Sequence, residues 1–263
     1  MRPVAEPWYQ AAFGAFYPAL YAHRDKAEAV RCLELLPRLA PLDGGRGLPV
    51  LDLGCGDGRH LAPLREAGYA AIGLDLSGAL LAAAGGQGAP LVRADMRHLP
   101  VRDNACGAVL SLFTAFGYFG PVEDVQVVCG IARALAPGGH WFLDYLDADR
   151  VAAELGDGPV VRTRVAGPLT VTEVRRLDVS VPRVCKSVTL SPVVAQETAA
   201  ASLGVMAAGL EYEEQVALYT LAEMDAMAAA GGLCRVAAAG SYDGAPLGRG
   251  PRWLLVYRKG ATT

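Results

Sequence analysis

The sequence predicts an α/β protein: a seven-stranded, mostly parallel sheet with helices on both faces, plus an antiparallel β-rich insertion. Three observations predict it. Between Pro49 and Asp144, short apolar runs alternate with Gly-rich turns and helical stretches, as parallel βαβ units require. Asp52-Leu53-Gly54-Cys55-Gly56-Asp57-Gly58 lies directly between the first such run and the first helix of this series. After Val160, β-type segments follow one another across short turns, the pattern of a meander rather than of crossover units.

The elements follow in order. Residues 1–47 read as a helical segment carrying Trp8, Tyr9, Phe13, Phe16, Tyr17 and Tyr21, closed by Pro41 and the Gly44-Gly45 breaker. Val50 to Leu53 form the first strand, and a helix opening near Gly58 places Leu61 and Leu64 on one face until Gly68 stops it. Ala70 to Leu74 form the second strand, Ser77 caps the next helix, and Leu91 to Ala94 form the third strand. Asp103-Asn104 turn the chain into a fourth strand, Gly107 to Leu112. A long helix, Val122 to Leu135, is expected to end at Pro137-Gly138-Gly139, which turns into a fifth strand, His140 to Asp144. A short helix at Ala148 to Leu155 precedes four β segments: Val160 to Val165, Leu169 to Val179, Val184 to Leu190 and Leu210 to Tyr219. Thr220 and Glu223 form a capping box for a helix to Ala230, and Arg235 to Ser241 and Trp253 to Arg258 complete the main sheet. The expected organisation is therefore 1–47 as a helical lid, 48–156 with 220–263 as the core, and 157–219 as an inserted antiparallel subdomain.

Composition narrows the class. The chain has 263 residues, enough for one elaborated domain or two modest ones. No apolar run reaches the roughly 20 residues of a membrane helix, and the Ala-rich stretch from Ala199 to Leu210 is read as a buried or lid segment. The start, Met1-Arg2-Pro3 with Glu6, has no apolar signal region, so a cytoplasmic protein is expected. Six cysteines occur without a CxxC pair, which suits reduced thiols rather than zinc or a disulfide framework, and no metal site is expected. With a net charge of −3 and no basic run, nucleic acid and membrane surfaces are not expected partners.

The glycines of the Asp52 to Gly58 turn let backbone approach a ligand at a helix amino terminus. A dinucleotide fingerprint wants a further glycine where Arg59 stands, so the spacing is GxGxG rather than GxGxxG. A glycine-rich turn with no ligand is the plainer alternative. Asp75, at the end of the second strand and at the right distance from the glycine turn, is placed to accept hydrogen bonds from both hydroxyls of a ribose; capping the next turn is the plainer alternative. Asp95 and Met96, after the third strand, suit an adenine amine and the face of its ring.

Taken together, Asp52 to Gly58, Leu74-Asp75-Leu76-Ser77, Ala94-Asp95-Met96 and Leu135-Ala136-Pro137-Gly138-Gly139 resemble the class I S-adenosylmethionine-dependent methyltransferases. The likeness is to their small-molecule branch, similar to methyltransferase domain 25, and covers nearly the whole chain. It implies a Rossmann-like core that binds S-adenosyl-L-methionine. The implied contacts are Asp52, Gly54, Cys55 and Gly56 on the methionine and ribose portions, Asp75 with Leu76 at the ribose, and Asp95 with Met96 at adenine. It further implies a backbone carbonyl near the α-amine within Ser111-Leu112-Phe113, and a transfer site lined by Thr114 to Phe119. Phe116, Tyr118 and Phe119 form either a cage for the sulfonium cation or simply a core cluster. Tyr9, Tyr17 and Arg24 are carried over as lid residues reaching the methionine carboxylate.

Methyl transfer is an in-line displacement, so alignment is the main requirement, and a base is needed only for an acceptor of high pKa. The candidates for catalytic roles are Tyr118, Asp144, Tyr145 and Tyr242. Ser111-Leu112-Phe113-Thr114 stands where nucleic-acid methyltransferases carry a polar-Pro-Pro-aromatic motif, so a small-molecule acceptor is expected, methylated at nitrogen or oxygen. The exposed edges of the meander suit a homodimer. A nicotinamide-dependent oxidoreductase and a cofactor-binding regulatory protein without turnover are the competing readings.

Overall fold

A computed structural model describes residues 7–22, 26–44 and 47–260. It divides into two compact units: the described residues of Asp25–Val151 with Tyr219–Thr263, and those of Met1–Arg24 with Ala152–Leu218.

The larger unit carries a seven-stranded sheet. In chain order its strands are β1 (Val50–Leu53), β2 (Ala71–Asp75), β3 (Leu91–Arg93), β4 (Cys106–Ser111) and β5 (Leu135–Leu146), with β10 (Leu233–Ala239) and β11 (Arg252–Lys259) arriving last. Across the sheet the order is β10-β11-β5-β4-β1-β2-β3, with β11 antiparallel to both its neighbours and β1 to β5 pairing in parallel. β1 and β4 are buried along their whole length, which is why their sequences are apolar throughout except for buried Asp52 and Ser111, rather than alternating.

Helices cover both faces. Cys32 and Leu36 of α3 (Lys26–Leu39) and Leu61 and Leu64 of α4 (Leu61–Glu66) cluster with Val50, Leu110, Phe142 and Val256. The alternation of a strand sends Trp141, Tyr145 and Tyr257 to the opposite face. α6 (Pro121–Ala134) packs against β5 and against α9 (Leu221–Ala230). Ser77 caps α5 (Gly78–Ala84), and Thr220 with Glu223 closes the capping box of α9.

Three expectations change. α3, assigned above to a lid of residues 1–47, belongs to the core, because its apolar stripe is buried against the sheet and α4. Pro137-Gly138-Gly139 is not a turn between helix and strand. Leu135 is already extended and pairs with Cys106, and the register slips before His140 meets Ala108, so the three residues form an irregularity inside β5. Gly139 sits so close to Gly107 and Cys106 that an added Cβ would lie 2.9 Å from the Gly107 oxygen. Finally, of the two alternatives for Ala199 to Leu210 the buried one falls away, since only Ala200 and Val205 in it are buried.

The smaller unit is a four-stranded antiparallel meander of β6 (Val160–Ala166), β7 (Leu169–Asp178), β8 (Arg183–Pro192) and β9 (Leu210–Ala217). Leu169, Val171, Val188, Leu190 and Tyr212 on one face pack with Ala12 of α1 (Trp8–Ala12), Phe16, and Leu20 of α2 (Tyr17–Leu20). Helices α7 (Ala148–Leu155) and α8 (Glu197–Ser202) complete the fold. Among the described residues, no helix is long and apolar enough to cross a membrane.

Candidate active site at the carboxyl ends of the parallel strands

β1 delivers the chain into a loop whose glycines all lie in the left-handed region: Gly54 at φ +77°, Gly56 at +56° and Gly58 at +77°. Side chains rarely adopt that region, and at Gly54 a Cβ would also lie 2.8 Å from the Ala115 Cβ. The loop therefore runs as bare backbone under the turn that follows β4. Gly54 and Cys55 donate their amides to the Leu74 carbonyl at 2.8 and 3.0 Å, fixing the loop to the end of β2. Burial pushes the Cys55 thiol well above its ordinary value, so it is an inert packing group here.

Asp75 completes the tie. Its Oδ2 accepts from the Gly56 amide and its Oδ1 from the Ser77 amide, both at 2.8 Å. Burial raises its pKa, and the amides of Ser77 and Gly56 oppose that rise. Each oxygen keeps further lone-pair capacity, so the carboxylate fits a pair of vicinal hydroxyls without giving up its hold on the loop. Leu76 beside it is half-buried, and its carbonyl accepts from Arg93 at 3.1 Å.

Asp95 is held differently. It caps a short turn at Met96–His98, and the guanidinium of Arg97 grips both its oxygens, with Nη2 2.7 Å from Oδ2. That grip keeps the carboxyl below its usual range. Any base amine approaching Asp95 shares the oxygens with Arg97, which sequence spacing did not anticipate. The Met96 methyl lies 3.7 Å from the Cβ position of Gly54, beside the glycine loop.

After β4 the backbone is strained. Phe113 and Thr114 are consecutive non-glycine residues at φ +55° and +63°, a conformation that costs each about 1–3 kcal/mol and persists only where the surroundings enforce it. The enforcing group is Asp144, fully buried near the end of β5: its Oδ2 accepts from the Phe113 amide at 2.9 Å, and its carbonyl accepts from the Thr114 amide at 3.0 Å. The same Oδ2 accepts from the Tyr242 hydroxyl at 2.6 Å and from Arg252 Nη1 at 2.8 Å, and Arg252 also bonds the Tyr242 oxygen. Around Phe113, the Arg59 guanidinium stands 3.5 Å above the ring and His60 stacks at 5.5 Å, its Nδ1 facing buried Asp52 at 3.6 Å.

These placements sort the candidates for catalysis. Burial and the Asp144 carboxylate push the Tyr242 phenol far up, so at neutral pH it donates and is no base. Tyr145 is fully buried, its ring against Phe116 and Tyr219 and its hydroxyl packed on Gly117, and burial raises its pKa strongly as well. Phe116 is likewise core, packed on Trp141. Tyr118 is half-buried and set edge-on to Phe119, over which Arg97 sits at 4.7 Å. Leu112 is buried just before the strained pair.

Tyr9 and Tyr17 lie in the smaller unit, Tyr9 against Trp8 at 5.8 Å and Tyr17 against Phe13 and Tyr21 at 5.1 and 4.6 Å. Arg24 lies outside the described residues. Sequence reasoning missed Arg252, whose only signal is an arginine opening an apolar strand. It also missed Asp124, buried in α6, which accepts from the Tyr219 hydroxyl at 2.7 Å. No group of three or more His, Cys, Asp or Glu among the described residues is arranged to hold a metal ion.

Comparison with known proteins agrees with this geometry. The methyltransferase domain family matches residues 50–139, the stretch from β1 to the irregularity in β5. The cypemycin N-terminal methyltransferase of a Streptomyces species is 30% identical over 220 residues, covering 82% of this chain and 83% of that protein. Among solved structures, the CcbJ methyltransferase of Streptomyces caelestis aligns with a TM-score of 0.74 at 18% identity, covering 96% of this chain and 99% of that one. CalS10, an amino pentose methyltransferase of Micromonospora echinaspora with bound S-adenosylmethionine, aligns with a TM-score of 0.63 at 24% identity, covering 92% and 96%. With its glycine loop, its Asp75 clamp and its sheet order, the chain belongs to the class I S-adenosylmethionine-dependent methyltransferases.

Proposed function

We propose that this methyltransferase acts on an amine nitrogen of a small molecule or peptide terminus. The observation that carries the reading is the state of the ionisable groups behind the glycine loop. The Tyr242 hydroxyl is spent as a donor to Asp144, Tyr145 is sealed in the aromatic core, and the Oδ2 of fully buried Asp144 takes three donors. An amine arriving in its free-base form brings its own lone pair, whereas a hydroxyl of high pKa needs a base to take its proton. The similar proteins include an N-terminal methyltransferase and an amino pentose methyltransferase, and both descriptions suit an amine acceptor.

The bound S-adenosylmethionine supplies an activated methyl group. The residues proposed to hold it are Asp52, Gly54, Cys55 and Gly56 in the loop, Asp75 with Leu76 at the ribose, Asp95 with Met96 at adenine, and Leu112 and Phe113 near the amine. The protein's contribution is alignment of the acceptor with the carbon–sulfur axis in a site that excludes water. Roles for Tyr9, Tyr17 and Arg24 at the methionine carboxylate, for Tyr118 beside the acceptor, and for residues 157–219 as acceptor cover or dimer contact belong to this reading and rest on resemblance. The exclusion of nucleic-acid substrates also belongs to it and rests on the lack of a basic run and on Ser111-Leu112-Phe113-Thr114 after β4, and a cytoplasmic location is part of the same reading.

Two measurements test the proposal. Labelled S-adenosylmethionine offered with matched amines and alcohols should mark the amines; label confined to alcohols would overturn the nitrogen assignment. Asp75→Ala should weaken S-adenosylhomocysteine binding by about tenfold or more, the value of hydrogen bonds to a charged acceptor. Unchanged affinity by calorimetry would remove Asp75 from the ribose.

A further inference from the structure

Asp144, Tyr242 and Arg252 form one hydrogen-bonded cluster behind the turn that follows β4. It assembles from the end of β5, the loop after β10 and the first residue of β11, and it buries one carboxylate completely. All three of its donors converge on Oδ2, and Oδ1 has no hydrogen-bond partner among the described residues. A group needed only to satisfy the carboxylate would share its donors between both oxygens. Here the donors instead aim one oxygen at the Phe113 amide. The turn so held is the left-handed pair Phe113 and Thr114, and the next residue, Ala115, is the one an added Cβ at Gly54 would strike.

We propose that Asp144, Tyr242 and Arg252 are positioning residues, a buried latch that keeps the strained turn at Phe113–Ala115 pressed on the first glycine of the cofactor loop. The turn is the lid of that glycine's backbone, and the latch fixes how closely the two approach. Thr114 is β-branched, so it leaves the left-handed region readily once the hold on its neighbour loosens. The turn then moves, and the space over Gly54 changes shape. None of the three residues touches the reacting atoms in this account.

The proposal rests on the reading that the Asp52 to Gly58 loop holds S-adenosylmethionine, with the methionine portion toward Gly54 and the nucleoside toward Asp75. The test therefore separates the two ideas. Tyr242→Phe removes one donor to Asp144. Arg252→Lys keeps the charge while dropping the planar link to Tyr242. Each is titrated with S-adenosylhomocysteine and with adenosine alone, alongside urea unfolding. We expect S-adenosylhomocysteine affinity to fall about three- to tenfold in both variants, part of the worth of one charged hydrogen bond, with adenosine affinity unchanged. Adding Thr114→Gly should restore the affinity of Tyr242→Phe to within about twofold, because glycine holds φ near +63° without a latch.

Equal loss for both ligands, no loss for either, or a loss that glycine does not repair would overturn the latch. A variant that unfolds is replaced by the other, and the glycine repair is then read in that background. If Asp75→Ala leaves both ligands unaffected, the loop reading itself fails. If Asp75→Ala weakens both while the latch variants weaken neither, the latch alone fails.

Discussion

β4 and β6 are strands of similar length with opposite surroundings. Every residue of β4 is buried, whereas in β6 only Ala166 is. β4 lies inside a sheet covered by helices on both faces, so its residues specify packing and its chemistry is displaced to its carboxyl end, where Phe113 and Thr114 emerge. β6 edges a sheet covered on one face. Its other face exposes Val161 and Val165 and sets Thr163 against Thr172, their hydroxyls 3.2 Å apart, with Thr189 next across the sheet. The doubly covered sheet stakes stability on each side chain and function on its rim. The singly covered one is tolerant over much of its surface.

Substitutions sharpen the contrast. Leu110→Ala, at a fully buried site in β4, should cost about 2–5 kcal/mol in urea unfolding, since neighbours covered on both sides relax little into the gap. A cost near zero would mean that the two faces are not packed as described. A smaller effect should appear in ligand affinity against pH. Asp75 has its pKa raised by burial, so its ionised form is lost as the pH falls through that raised value. Asp95, kept low by Arg97, stays ionised further down. S-adenosylhomocysteine affinity should therefore decline as the pH falls through the raised Asp75 value, by at most about tenfold per pH unit, and Asp75→Ala should flatten the profile. For stability the sign is reversed: with a raised folded value, the protonated form favours the fold, and that contribution fades as the pH rises through the same range. The smallest effect belongs to β6. Val165→Thr should change stability by no more than about 0.5 kcal/mol, and a large loss would reveal that the open face is covered.

The strands, the order of elements and the capping box at Thr220 were legible because continuous apolar runs, turn residues and cap residues are local signals. The glycine loop and Asp75 were legible for the same reason, since their spacing encodes a strand-to-helix turn. What escaped was set by distant partners. Pro137-Gly138-Gly139 reads locally as a turn, yet pairing with β4 begins at Leu135, before it. Asp144 and Tyr145 look equivalent in sequence, but alternation sends one to the latch and the other into an aromatic core. Arg97 carries no local signal of its role, yet its guanidinium closes over Asp95.

The smaller unit also carries a consequence for synthesis. Ala12, Phe16 and Leu20 pack on Leu169, Val188 and Tyr212, so this apolar surface leaves the ribosome well before its partners, which are translated roughly 150 residues later or more. The five parallel strands lie between and can associate first. At ordinary elongation rates the early aromatic residues wait on the order of ten seconds for their meander. During that interval Trp8 and Phe16 lack the meander they pack on in the finished fold, and a nascent chain in that state offers chaperones an uncovered apolar segment.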